Sequence, residues 1–144
     1  VKTRFGDTSF WFARYNARDR RHVDARRIDP GSRVVTTEWV LGETWTLMTR
    51  RESHAAARAC IESIRRLPGV EVAAVTEADL SASWLWLARH DERPYSFVDA
   101  VSFRVMQRRR LTEALTFDGD FAAAGFVPVH PPPAGDPRAA GVLP

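Results

Sequence analysis

The sequence predicts an α/β domain: a small parallel sheet flanked by helices. Two observations carry this. Short β-branched or apolar runs near residue 5 and at 33–36, 70–75 and 115–117 alternate with longer helical segments, the pattern of βαβ units. At 144 residues the chain is long enough for one domain with an ordinary core. In open parallel sheets ligands collect beyond the carboxyl ends of the strands. The residues just after each strand are therefore the first place to look for function.

The elements run in order along the chain. Phe5 to Phe12 is a strand that turns into a helix, interrupted by Asp7, Thr8 and Ser9. From Arg14 to Arg27 the spacing of Arg14, Arg18 and Arg21 at i, i+4 and i+7 predicts one helix with a basic face. Asp29-Pro30-Gly31-Ser32 is loop chemistry. Arg33–Thr36 is a strand, and Thr37 caps a helix from Glu38 to about Arg51. Ser53 caps the next helix, Ala55–Leu67, which stops at Pro68-Gly69. Val70–Val75 is a strand, Glu77 to His90 a helix, and Asp91 to Pro94 a turn. Ser96 caps a helix reaching about Arg110, whose closing arginines suit the negative end of its dipole. Leu115–Phe117 is the last clear strand, Asp118 to Ala124 a helical turn ending at Gly125, and Phe126–Val129 an edge strand. Six of nine prolines lie from residue 128 onward, so residues 130–144 read as an irregular Pro-rich tail after a domain of residues 1–129.

Composition narrows the classes. Apolar residues make up 44% and charged residues 27%, a soluble globular mixture. A single cysteine, Cys60, excludes a disulfide framework and a multi-cysteine zinc site, and it reads as helix packing. His22, His54, His90 and His130 show no close pairing, which disfavours zinc. No apolar stretch is long enough to span a bilayer, so no membrane is expected and the expected compartment is the cytoplasm. Of 21 basic residues 20 are arginine, and the net charge is only +3.

Most acids, among them Glu52, Glu62, Glu71, Glu77, Asp79, Asp91 and Glu92, read as solvated surface. Three do not. Asp7 comes directly after the first strand, Glu43 lies within Trp39–Trp45, and Asp99 lies within Phe97–Phe103. An ionised carboxylate in an apolar setting costs several kcal/mol unless it is paired, protonated or metal-bound. Asp118 and Asp120 come after the last strand, where a helix N-cap is the competing explanation. Converging acids need a cation, and hard oxygen ligands select Mg²⁺ or Mn²⁺. Such a site activates water against a phosphodiester.

The ordered set Asp7-Thr8-Ser9, Thr37–Glu43, Ser96–Ala100 and Leu115–Phe121 resembles the PIN-domain nucleases, in particular the VapC toxins of toxin–antitoxin modules. The resemblance spans roughly residues 5–129. It implies a PIN-like three-layer sandwich and Mg²⁺- or Mn²⁺-dependent endoribonuclease activity. The implied metal-site acids are Asp7, Glu43, Asp99 and Asp118 or Asp120, with Asp118 nearer the strand end. Thr8 and Ser96 match polar positions that bind a metal water or orient a carboxylate. The implied partners are an RNA substrate, a VapB-type antitoxin and a second copy of the chain. One departure is the segment before Asp7, more polar than the family's usual first strand.

RNA is held mainly by phosphate contacts. Arg14, Arg18 and Arg21 are the first candidates for these, and Arg108–Arg110 the second. Trp84 and Trp86, two apart, cannot share a helix face, so one of them is an exposed anchor for the antitoxin or a second copy. The alternatives are a PIN-type nuclease acting in RNA processing or on DNA, and a non-catalytic RNA-binding module.

Overall fold

The computed structural model describes residues 2–135, so the expected end of the Pro-rich tail, residues 136–144, lies outside the described residues. The order is β1 (Thr3–Gly6), α1 (Thr8–Tyr15), α2 (His22–Arg27), β2 (Arg33–Thr37), α3 (Glu38–Arg51), α4 (His54–Arg66), β3 (Val70–Ala73), α5 (Glu77–Arg89), α6 (Phe97–Arg108), β4 (Glu113–Leu115), α7 (Gly119–Ala123) and β5 (Val127–Pro128). Every strand pair is parallel, and the sheet order is β3-β2-β1-β4-β5. The chain builds outward from β1 to β3, then returns to place β4 on the other side of β1. The strand order therefore reverses between β1 and β4, where such sheets open a crevice for ligands.

Phe5, Val34, Val35 and Leu115 from the strands pack with Phe10, Trp11, Leu41, Ile64, Met106 and Phe121 from the helices in one core. Caps hold the helix starts: Thr37 and Ser53 accept from Val40 and Ala56 N–H groups, and Thr76 and Ser96 each form a capping box with an aspartate three residues on. The polar β1 sits at the centre of the sheet because its charge leaves through Arg4. That side chain donates to Glu113 on β4 (3.2 Å) and to the Asp29 carbonyl (2.7 Å).

The expected helix from Arg14 to Arg27 is two helices. Asn16 Oδ1 accepts the Arg18 N–H (3.0 Å) and Asp19 Oδ1 accepts the Arg21 N–H (2.8 Å). Both bonds offer the backbone a turn in place of a helical ladder. The single basic face is lost with it. Arg14 is 2% exposed in α1, Arg18 lies 3.5 Å from Glu52, and Arg21 lies at the start of α2.

Two other expectations change. The last clear strand is Glu113–Leu115 rather than 115–117, because side chains take the next N–H groups: Phe117 N–H bonds Ser9 Oγ (2.9 Å) and Asp118 N–H bonds Thr116 Oγ1 (3.0 Å). Asp79 is not solvated surface but 0% exposed, held by Arg104 (3.2 Å) and Arg108 (2.9 Å) from α6. Arg108 is thereby committed to the fold, and Arg109 pairs with Glu71 (2.8 Å). The tryptophans do divide between faces. Trp84 is 59% exposed, while Trp86 packs among His90, Tyr95 and Phe103. Cys60 is buried, and burial pushes its thiol up to about 12, which fits packing rather than catalysis.

Candidate active site

The residue after β1 is Asp7, and the residues after β4 are Thr116, Phe117 and Asp118. Parallel pairing of these strands sets both exits on one edge, and the Asp7 N–H bonds the Leu115 carbonyl (3.0 Å) to close the gap. Asp7 also caps α1, and its Oδ2 accepts from Ser9 Oγ and Thr116 Oγ1, each at 2.9 Å. It is 3% exposed. Burial raises its carboxyl to about 6 against the pull of these hydroxyls, and the Asp118 charge adds to the rise.

Asp99 comes from the first turn of α6. Its Oδ2 accepts the Ser96 N–H (3.0 Å) while Ser96 Oγ accepts the Asp99 N–H (3.0 Å), so Ser96 orients this carboxylate. Asp99 is 6% exposed. Burial, then the nearby Asp7 and Asp118 charges, raise it to about 7. Asp118 caps α7, and burial and Asp120 raise it too. Carboxylate oxygens of Asp99, Asp118 and Asp120 lie within 4.8 Å of one another. Asp120 also pairs with Arg93 at 2.6 Å. Glu43 is half-buried on α3, lining a hollow of about 410 Å³ with Trp39 and Val98, the neighbour of Asp99.

A comparison inside the molecule shows what is unusual here. Thr76–Asp79 and Ser96–Asp99 are the same capping box on adjacent, packed helices. Burial also pushes Asp79 up, yet the Thr76 N–H and two arginines bring it below the ordinary value. Asp99 has the box without the arginines: among the described residues no cation pairs with it. Its charge is therefore removed by a proton or balanced by an arriving cation.

The donor set suits a hard divalent cation, being carboxylate oxygens with no thiolate or imidazole among them. The Thr8 hydroxyl is a second sign, because it is buried with no hydrogen-bond partner among the described residues. Asp118 and Asp120 both enter the acid group, with Asp120 the more restrained. Arg14 stands apart from any solvent-facing RNA contact, since it is buried. Ser9 and Thr116 are site residues that sequence reasoning missed. The signal for them is position, Ser9 two residues after Asp7 and Thr116 two before Asp118.

The chain is similar to proteins already known. The PIN domain family matches residues 5–127. The chain is 54% identical over 130 residues to the 23S rRNA-specific endonuclease VapC20 of Mycobacterium tuberculosis, in both the CDC 1551 and H37Rv strains, covering 88% of this chain and 98% of that protein. The crystal structure of M. tuberculosis VapC20, described as a sarcin-ricin loop cleaving toxin, superposes with a TM-score of 0.84 at 52% identity, again over 88% of this chain and 98% of that one. A parallel sheet whose order reverses beside paired acids, matched along nearly all of a solved relative, leads to one conclusion: the chain belongs to the PIN domain family.

Proposed function

We propose that this chain is a metal-dependent endoribonuclease and the toxin of a toxin–antitoxin pair, acting on ribosomal RNA. The observation that carries the metal site is the contrast between two equal capping boxes, Asp79 neutralised by arginines and Asp99 left without a cation. Asp7, Asp99 and Asp118 would hold Mg²⁺ or Mn²⁺. Asp120 borders them under the restraint of Arg93, and Glu43, on α3 beside Val98, lies outside the acid group and would join through water. When bound, the ion neutralises charge on the scissile phosphate and makes water a stronger nucleophile at neutral pH.

The chain's own residues do the positioning. Ser9 and Thr116 fix one oxygen of Asp7, and Ser96 fixes one oxygen of Asp99, so each acid keeps its other oxygen for the ion. The Thr8 hydroxyl, buried without a hydrogen-bond partner among the described residues, would orient a metal-bound water. A protein partner belongs to the same proposal. Trp84 stacks on Phe97 (4.1 Å), which meets Trp39 (5.4 Å), giving an exposed aromatic cluster that suits a VapB-type antitoxin. A second copy of the chain is proposed as well, with sedimentation of the purified protein as its test.

The experiment incubates purified protein with 23S rRNA, with EDTA and with added Mg²⁺ or Mn²⁺, and maps the cut ends. A discrete cut that needs the metal and disappears in Asp99→Asn supports the proposal. Cleavage that persists in EDTA, or in Asp99→Asn, overturns it.

A further inference from the structure

Beside Asp118 lies a cleft of about 360 Å³. Its lining includes Arg21 from the start of α2, Phe117 and Asp118 from the β4–α7 turn, and Val129, His130 and Pro131 from the segment after β5. Asp118 thus belongs both to the acid group and to this cleft. The Arg21 guanidinium lies 5.5 Å from the Phe117 ring centre, and its ion pair with Asp24 is long, at 3.7 Å.

The outer wall is anchored. Val129 N–H bonds the Ala114 carbonyl (2.9 Å), and Arg27 donates to the Pro132 carbonyl. These residues, 128–132, lie past the part of the chain that the family matches, which ends at 127.

We propose that this cleft is a nucleotide subsite, taking the RNA nucleotide next to the scissile phosphate. The proposal rests on the ribonuclease reading above. Three observations point to a nucleotide. The cleft shares an acid with the metal site, so an RNA strand lying over that acid continues into it. It combines an exposed cation with an aromatic and apolar wall, the pairing that holds unstacked nucleotides. Its rim carries His130, an exposed imidazole able to hydrogen-bond a base edge. Arg21 receives the phosphate, exchanging its loose contact with Asp24. The base lies against Phe117, Val129 and Pro131, and His130 reads its edge.

The test uses full-length protein and an RNA oligonucleotide containing the site that the wild type cuts. Arg21→Ala and His130→Ala, both at exposed positions, are compared with wild type after their melting curves show intact folding. The expected result is a KM raised about ten-fold in each, the loss of roughly one base or phosphate contact, with kcat within about two-fold. Arg21→Ala also shows a shallower dependence on salt. Removing the base at one flanking nucleotide weakens cutting by wild type but adds nothing to His130→Ala. Unchanged KM in both variants, or an abasic effect equally large in wild type and His130→Ala, overturns the subsite and leaves the nuclease standing. A wild type that cuts no RNA overturns the nuclease reading, and the subsite with it.

Discussion

Replacing Asp99 with Asn should stabilise the metal-free protein at alkaline pH. Asp99 titrates at about 7 instead of the ordinary 3.8, chiefly because it is buried. The sign comes from linkage. A folded-state value raised above the unfolded one means that the folded protein holds its proton longer. The stability is complete below pH 3.8 and is lost as pH rises through about 7. In full, that shift corresponds to about 4 kcal/mol at pH 8. Relaxation of the surroundings and water at the edge of the site reduce the figure to about 2 kcal/mol. Asparagine keeps the acceptor for the Ser96 N–H and cannot ionise. In EDTA at pH 8, Asp99→Asn is therefore expected to melt about 4–8 °C above wild type, with the gap closing toward pH 4. Added Mg²⁺ should raise wild type and leave the variant where it is, since only a state that binds the ion gains from it. A variant that melts at or below wild type in EDTA at pH 8 would refute an uncompensated charge at Asp99.

Three further outcomes are expected. Asp79→Asn should cost about 3–5 kcal/mol in urea unfolding, because it leaves Arg104 and Arg108 without their carboxylate; a loss below about 1 kcal/mol would show that the ion pairs contribute little. Thr116→Val removes a hydroxyl that donates to Asp7 and accepts from the Asp118 N–H, and should lower metal-dependent cleavage by about 10–100-fold in a folded protein. Activity equal to wild type across a Mg²⁺ titration would remove Thr116 from the site. Trp84→Ala should weaken binding of the antitoxin by about 2 kcal/mol in calorimetry while leaving the melting temperature of the free chain unchanged.

Much of the fold is written in local signals. Helix starts at Thr37, Ser53, Thr76 and Ser96 arise from one hydroxyl accepting one N–H, and such bonds need no knowledge of the rest of the chain. The break after Tyr15 is local too, in Asn16 and Asp19, but arginines that happen to fall at helical spacing obscure it. Asp79 and Asp99 show the limit most clearly. Each sits third in a helix after a hydroxyl cap, and nothing nearby in sequence shows that Asp79 meets Arg104 and Arg108, 25 and 29 residues away. Asp99 stands out because its neighbours are apolar, and Asp7 because it comes directly after the first strand. Ser9 and Thr116 gain their role only by meeting across 107 residues, which no spacing rule reports. Glu43 is embedded in apolar sequence, yet it is half-buried beside a hollow, since an open groove runs along that side of α3.

The pairing of β1 with β4 also bears on when the protein acquires activity during its synthesis. Asp7 is made 109 residues before Thr116, and the hydroxyl and the acid that complete its surroundings come from Thr116 and Asp118. Until that stretch has been translated, β1 keeps one edge free and Asp7 has only Ser9 beside it. The chain emerging from a ribosome therefore lacks a complete cation site until Asp118 has been made. Under the proposed activity on ribosomal RNA, this delay protects the machine that is making the enzyme.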